Sequence, residues 1–181
     1  MTTRQSKLAR KYAQRISNAL SSKPFTKLLR DAAPGYEHKA VARDIESDLE
    51  SFLQGETEHK VTQQQLFDWE GKNRRGQEGE RYYPVLGITS FPDAAVLAPF
   101  KCAFEFDREP SKKGSHFKTA LMKASVHVLS GAYDSCVFVY ILRPGSSRRA
   151  YLPDKCKHTQ RLIETLQAVG LYVTFIRNRP S

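Results

Sequence analysis

Three acidic residues, Asp93, Glu105 and Asp107, stand in segments whose other residues are typical of buried β-strands. Carboxylates are costly to bury close together, because desolvation and like-charge repulsion both raise the free energy. A divalent cation removes much of that cost, and Mg²⁺ is commonly bound by a few carboxylates together with waters and phosphate oxygens. The residue types and their placement therefore indicate a candidate site for Mg²⁺ or Mn²⁺.

The rest of the chain is basic, with 29 lysines and arginines against 19 acidic residues and a formal net charge of +10 over 181 residues. Such a balance favours nucleic acid as the partner, and less often an anionic membrane surface. A glycine-rich loop and the segment after the acidic strand supply candidate nucleic-acid contacts: Lys72, Arg74, Arg75, Lys112 and Lys113. A solvated connector that touches no ligand is the alternative for this loop. An acidic metal site in a basic chain indicates chemistry on a phosphodiester.

Other sequence features limit the class of protein. No run of 18 apolar residues is present, so a membrane-spanning helix is not expected. The first residues lack the apolar core of a secretory signal. Two of the three cysteines, Cys102 and Cys136, lie in strand-like runs, and Cys156 shares no CxxC spacing with them. We therefore expect a cytoplasmic protein of one domain, 1–181, without a structural zinc site or disulfide bonds.

The apolar periodicity predicts an α/β fold around a single mixed β-sheet flanked by helices. Basic helices occupy residues 1–33, where an apolar stripe of Leu8, Tyr12, Ile16 and Leu20 predicts the first of them. The core, residues 38–177, is expected to contain these elements in order: an acidic helix (38–53), three antiparallel strands (82–89, 93–98, 100–107), a helix that ends near Gly131, a buried strand (136–142), a helix through Leu162, Ile163, Leu166 and Val169, and a last strand (171–176).

The alternation of side chains along a strand divides the third strand into two faces. Glu105 and Asp107 share one face, and the turn at Pro99 allows Asp93 to come alongside them. An antiparallel sheet can also expose one face to water, in which case the same acids would be solvated surface groups.

These residues resemble the motif of the PD-(D/E)XK nucleases, which have the restriction-endonuclease-like fold. Pro92-Asp93 is similar to the PD element, and Glu105-Phe106-Asp107 stands in the place of (D/E)XK. The element order over residues 38 to 142 is also similar. The resemblance implies a Mg²⁺-dependent DNA endonuclease of restriction, phage or transposon type. It also implies a homodimer, since a symmetric pair is a simple way to cut both strands.

The chain departs from that family at Asp107, where the pattern has lysine. The resemblance implies that Asp93, Glu105 and Asp107 hold the metal, with Glu46 or Glu50 of the acidic helix completing its ligands. The missing positive charge would come from Lys101, Lys118 or Lys123, and Lys118 is taken with the three acids as catalytic. The alternative is an inactive module of the same fold that binds nucleic acid or a protein partner. A basic structural subunit of a nucleoprotein complex is a weaker alternative.

Overall fold

The computed structural model describes residues 3–21, 83–85, 88–90, 92–96, 100–108, 116–142 and 153–177. These contain α1 (Thr3–Leu20), β1 (Tyr83–Val85), β2 (Ile88–Ser90), β3 (Ala94–Val96), β4 (Cys102–Arg108), α2 (His116–Leu129), β5 (Ser135–Leu142), a 3₁₀ turn (Pro153–Lys155), α3 (Lys157–Ala168) and β6 (Leu171–Arg177). The predicted acidic helix and the glycine-rich basic loop lie outside the described residues. So do seven of the candidate site residues: Glu46, Glu50, Lys72, Arg74, Arg75, Lys112 and Lys113.

A four-stranded mixed sheet of order β3-β4-β5-β6 forms the centre of the described structure. β3 runs antiparallel to β4, whereas β4, β5 and β6 are parallel to one another. Parallel neighbours need a crossover connection, and α2 and α3 stand in sequence where those crossovers are required. The expectation of an α/β protein with one open mixed sheet and flanking helices is confirmed.

The prediction of the first of the three antiparallel strands is wrong. Residues 82–89 were expected to form one strand of a meander, but β1 and β2 pair with each other, Tyr83 opposite Ser90, in a separate two-stranded sheet. Only Leu86 and Gly87 separate the two strands in sequence, and a two-residue connection with glycine is a typical hairpin signal. The strands on both sides of it have only three residues each, too few to show alternation.

One face of the sheet is covered by α1. The buried side of α1 consists of Ala9, Tyr12, Ala13, Ile16 and Leu20, and Leu8 packs against the same cluster. These positions recur at helical spacing, so burial of one stripe directs the basic side chains of α1 to the other side. The Tyr12 ring lies 5.3 Å from that of Phe100, centroid to centroid. The predicted apolar stripe of the first helix is confirmed.

The other face of the sheet carries α2, and α3 contributes Leu166 to the same cluster. Ala120, Leu121 and Ala124 of α2 are buried there together with Phe138 and Tyr140 of β5. Small alanines let the helix come close to the strands. Every residue of β5 is buried, as its apolar sequence predicts.

Glycine is required where α3 passes into β6. Gly170 has a φ of +100°, and a Cβ there would come 2.7 Å from the carbonyl oxygen of Asp134. Of the apolar residues that predict this helix, Leu162 and Val169 are exposed, whereas Ile163 is buried. The helix turns its Ile163–Leu166 side to the sheet, which leaves positions 162 and 169 outward. Among the described residues, no helix combines the length and apolar content that crossing a membrane would need.

Candidate active site

The pairing of β3 with β4 sets Asp93 beside Glu105. Ala94 lies opposite Phe104, so one step further along the register places residue 93 opposite residue 105. Both side chains are nearly inaccessible, with 5% of Asp93 and 3% of Glu105 exposed. The two acids that were predicted to meet therefore do so on a buried part of the sheet, not on a solvated edge.

Asp93 also completes the strand pairing at this point. The backbone N–H of Phe106 donates a hydrogen bond of 2.7 Å to Asp93 Oδ2. Pro92, the residue before it, has no N–H to give to a strand neighbour. The Asp93 carboxylate thus binds the backbone of β4 and also lies next to Glu105.

Both oxygens of Glu105 contact side chains of α2. His127 Nε2 lies 2.6 Å from Oε1, and Lys123 Nζ lies 2.9 Å from Oε2. Lys123 and His127 are four residues apart, so they lie on one side of the helix. The side chain of Lys123 is 45% exposed, while that of His127 is fully buried. A buried anion is thereby matched with one cation and one histidine.

Asp107 lies two residues further along β4, nearer to solvent. Its Oδ1 is 2.8 Å from His116 Nε2 at the start of α2, and both side chains are partly exposed. The structure therefore brings Asp93 and Glu105 together in the interior and leaves Asp107 at the rim, next to a histidine.

The pKa of a buried thiol reflects the charges in this region. Burial raises the pKa of Cys136 well above its ordinary value, and the negative charges of Glu105 and Asp93 raise it further, whereas Lys123 lowers it. Cys136 is paired in register with Ala103 of β4, two residues before Glu105. The interior beside the acids is thus a region of negative potential that Lys123 partly offsets.

Of the three candidate lysines, Lys123 is the one that meets Glu105. Lys118 is exposed on α2, and five residues of helix place it about 140° around the axis from Lys123. Lys101 precedes β4, where its backbone N–H donates to Asp134. The geometry thus favours Lys123 over Lys118 as the lysine of the site.

Two carboxylates, Asp93 and Glu105, are the oxygen ligands that the described residues offer to a hard cation such as Mg²⁺. Within the described ranges, no group of three or more His, Cys, Asp and Glu side chains is arranged to hold a metal. Asp93 and Glu105 supply two carboxylates, and Mg²⁺ usually takes only one or two from a protein. Mn²⁺ can use the same oxygen ligands. Glu46 and Glu50, predicted to complete the shell, lie outside the described residues.

Two histidines of the site were not predicted. His116 and His127 belong to no sequence motif of paired histidine ligands. A signal for His127 does exist, because Ala120, Ala124 and His127 follow helical spacing and are all buried. A histidine in line with buried alanines is expected to face the sheet, and the acidic strand lies there.

The described residues define an α/β protein with a buried acidic pair at the antiparallel end of its sheet. Comparisons of the chain with protein-family models, curated proteins and solved structures found no match.

Proposed function

We propose that this chain is a metal-dependent endonuclease of the restriction-endonuclease-like fold, which hydrolyses phosphodiester bonds in DNA with Mg²⁺ or Mn²⁺. The main support is the contact of 2.9 Å between Lys123 Nζ and Glu105 Oε2. It supplies, from the following helix, the amino group that the strand lacks at Asp107. An acidic pair with an adjacent, half-exposed lysine has the charges that phosphodiester hydrolysis requires.

Each residue has a distinct part in this proposal. Asp93 and Glu105 would hold the metal, which when bound activates water and neutralises charge on the phosphate. Lys123 would orient the phosphate and stabilise the charge that develops on it, since its exposed side chain reaches the site from solvent. The buried walls of the site strengthen these interactions, because charges interact more strongly away from water. Asp107 and His116 form a second polar pair at the entrance.

DNA as the substrate and a homodimer as the active form belong to the same proposal. The net charge of +10 suits a polyanion. One such site cuts one strand at a time, and a symmetric pair of chains would act on both strands.

A second function is favoured by a different feature of the site. Each oxygen of Glu105 already has a protein partner, and such contacts can exist for structure alone. In that case the chain is a catalytically inactive module of the same fold that binds nucleic acid or a protein partner.

A plasmid-nicking assay with Mg²⁺, with Mn²⁺ and with chelator separates the two functions. The nuclease is expected to nick only with metal, and Glu105→Gln or Asp93→Asn should lower the rate about 100-fold or more while DNA binding persists. Glu164→Gln, an exposed acid on α3, is the matched control and should cut like the wild type. An inactive module would retard DNA equally in chelator and never nick it.

The two lysines of α2 test the arrangement of the site. Lys123→Met should abolish most cleavage, whereas Lys118→Met should keep it, because only the first touches Glu105. Loss of cleavage in Lys118→Met with full activity in Lys123→Met would contradict the role given to Lys123.

A further inference from the structure

His127 is a fully buried ionisable group in contact with the acidic pair. None of its surface is exposed, and its ring meets that of Tyr133 edge-on, with centroids 5.8 Å apart and planes at 86°. Nε2 contacts Glu105 Oε1, while Nδ1 has no hydrogen-bond partner among the residues that the structure describes. This arrangement restricts both the ring and the carboxylate that it contacts.

The contacts assign the proton of the imidazole. Oε1 of a carboxylate only accepts hydrogen bonds, so Nε2 must carry the hydrogen. Nε2 is therefore the donor of the contact that holds Glu105.

The two partners of Glu105 differ in how easily each can leave its carboxylate oxygen. His127 cannot leave Oε1 without opening the core, because its ring is enclosed. Lys123 can leave Oε2, because nearly half of its side chain already meets water and its long stem can turn outward. One oxygen of the carboxylate is thus fixed and the other is exchangeable.

We propose that His127 is a positioning residue that fixes Glu105 through Oε1, so that Oε2 is the oxygen at which a divalent cation replaces the Lys123 ammonium. This inference rests on the metal site of the proposed function. It predicts opposite effects for two neighbours of one carboxylate. Removal of Lys123 eliminates a competing cation, and removal of His127 frees the carboxylate to rotate.

The test measures Mn²⁺ affinity of the full chain without DNA, by the electron paramagnetic resonance signal of free Mn²⁺. His127→Leu is expected to bind Mn²⁺ about 10- to 100-fold more weakly, the usual effect of losing a hydrogen bond to a metal ligand. His127→Gln retains an N–H donor and should recover most of that affinity. Lys123→Met should bind Mn²⁺ more tightly than the wild type even though it cuts poorly. Thermal unfolding of each variant confirms that it is folded.

A second readout is independent of metal. Long-range ¹H–¹⁵N spectra of the wild type should show a hydrogen on Nε2 of His127, as the contact with Oε1 requires. The proposal is overturned if His127→Leu binds Mn²⁺ like the wild type, if His127→Gln is no better than His127→Leu, or if Lys123→Met binds more weakly. Absence of Mn²⁺ binding by the wild type also overturns it.

These outcomes are distinct from failure of the nuclease proposal. A wild type that binds Mn²⁺ with the predicted order of variants, yet never cuts DNA, supports the positioning role and refutes the enzyme. A wild type that cuts, with unchanged Mn²⁺ affinity in His127→Leu, refutes only the positioning role.

Discussion

The two faces of the four-stranded sheet are packed by different chemistry. Among the described residues, the buried polar groups under α1 are neutral hydroxyls, and each bonds to the helix: Ser135 donates to the Ala9 carbonyl at 3.0 Å, and Thr174 lies 2.6 Å from the Ser17 hydroxyl. Under α2 the buried polar groups include Asp93, Glu105 and His127. A core needs no ionisable groups for stability, and apolar replacements often serve it equally well. The contrast indicates that the α1 face stabilises the fold and that the α2 face holds the candidate site.

A buried thiol on each face lies near negative charge. Burial raises the pKa of Cys102, on the α1 face, to about 12, against the lowering effect of a hydrogen bond with Ser135 and with a smaller raising effect from the charge of Asp134. Cys136, on the α2 face, has its pKa raised by burial and then by charges that include Glu105 and Asp93, while Lys123 lowers it. The charges on the α2 face thus come from the buried acidic pair, whereas Asp134 is only partly buried.

The largest effect should come from breaking the α1 face. Tyr12→Ala removes a fully buried ring that packs on Phe100 and Phe104, and we expect the free energy of unfolding to fall by about 3–5 kcal/mol. Chemical denaturation measures this loss. Lys7→Ala, an exposed change on the same helix, should leave stability within about 0.5 kcal/mol of the wild type.

The same variant tests the division between the faces. At a temperature where Tyr12→Ala is still folded, its Mn²⁺ affinity should equal that of the wild type. A loss of metal affinity comparable to that of His127→Leu would show that the two faces are coupled and would break the contrast.

The sequence predicts the scaffold of the site better than the site itself. Apolar periodicity locates α1, α2 and the buried strand β5, because burial of one stripe or of a whole strand depends on local spacing. The closeness of Asp93 and Glu105 follows from strand alternation and a short turn. The partners of Glu105 follow only in part. Lys123 is one of three candidate lysines, and helical spacing places His127 toward the sheet. Which side chain meets Glu105 depends on how α2 lies across β4, and periodicity does not specify that.

Two other features of the structure could not be predicted from the sequence, for related reasons. The β1–β2 hairpin is hidden because its strands have only three residues each, too few to show alternation. Leu162 is exposed because α3 lies against the edge strand β6 and contacts the sheet only along a narrow side. The helix therefore has more apolar residues than buried positions. Short elements and sheet edges are where composition gives the weakest guidance.

The second prediction concerns pH and the α1 face. The thiol of Cys102 has a pKa of about 12 in the folded chain against an ordinary 9.0, so its contribution to stability is complete below pH 9 and is lost as pH rises toward 12. The stability difference between the wild type and Cys102→Ala should therefore narrow by about 1.4 kcal/mol per pH unit above 9. Urea denaturation between pH 7 and 10.5 measures it.

Cys156 provides a control of opposite sign. Its pKa is lowered, first by a hydrogen bond with the Thr159 side chain and then by backbone groups of Thr159 and His158. A lowered pKa in the folded state stabilises the protein above the unfolded pKa, so the difference from Cys156→Ala should widen as pH rises toward 9.0 and stay constant above it. A difference from Cys102→Ala that stays constant with pH would contradict burial of the Cys102 thiol.

The smallest effect should come from the hydroxyl contacts that distinguish the α1 face. Thr174→Val keeps the shape of the side chain but removes its hydrogen bonds with the Ser17 hydroxyl and carbonyl, which should cost about 1 kcal/mol. Adding Ser17→Ala should cost little more, because the Ser17 carbonyl also accepts from Ser21 and no buried hydroxyl is left unmatched. On the α2 face, by contrast, removing Glu105 leaves a buried histidine without its acceptor. If the decreases in the free energy of unfolding caused by Ser17→Ala and Thr174→Val nearly add, these two hydroxyls act separately. The proposed difference between a neutral and an ionisable face would then lose this support.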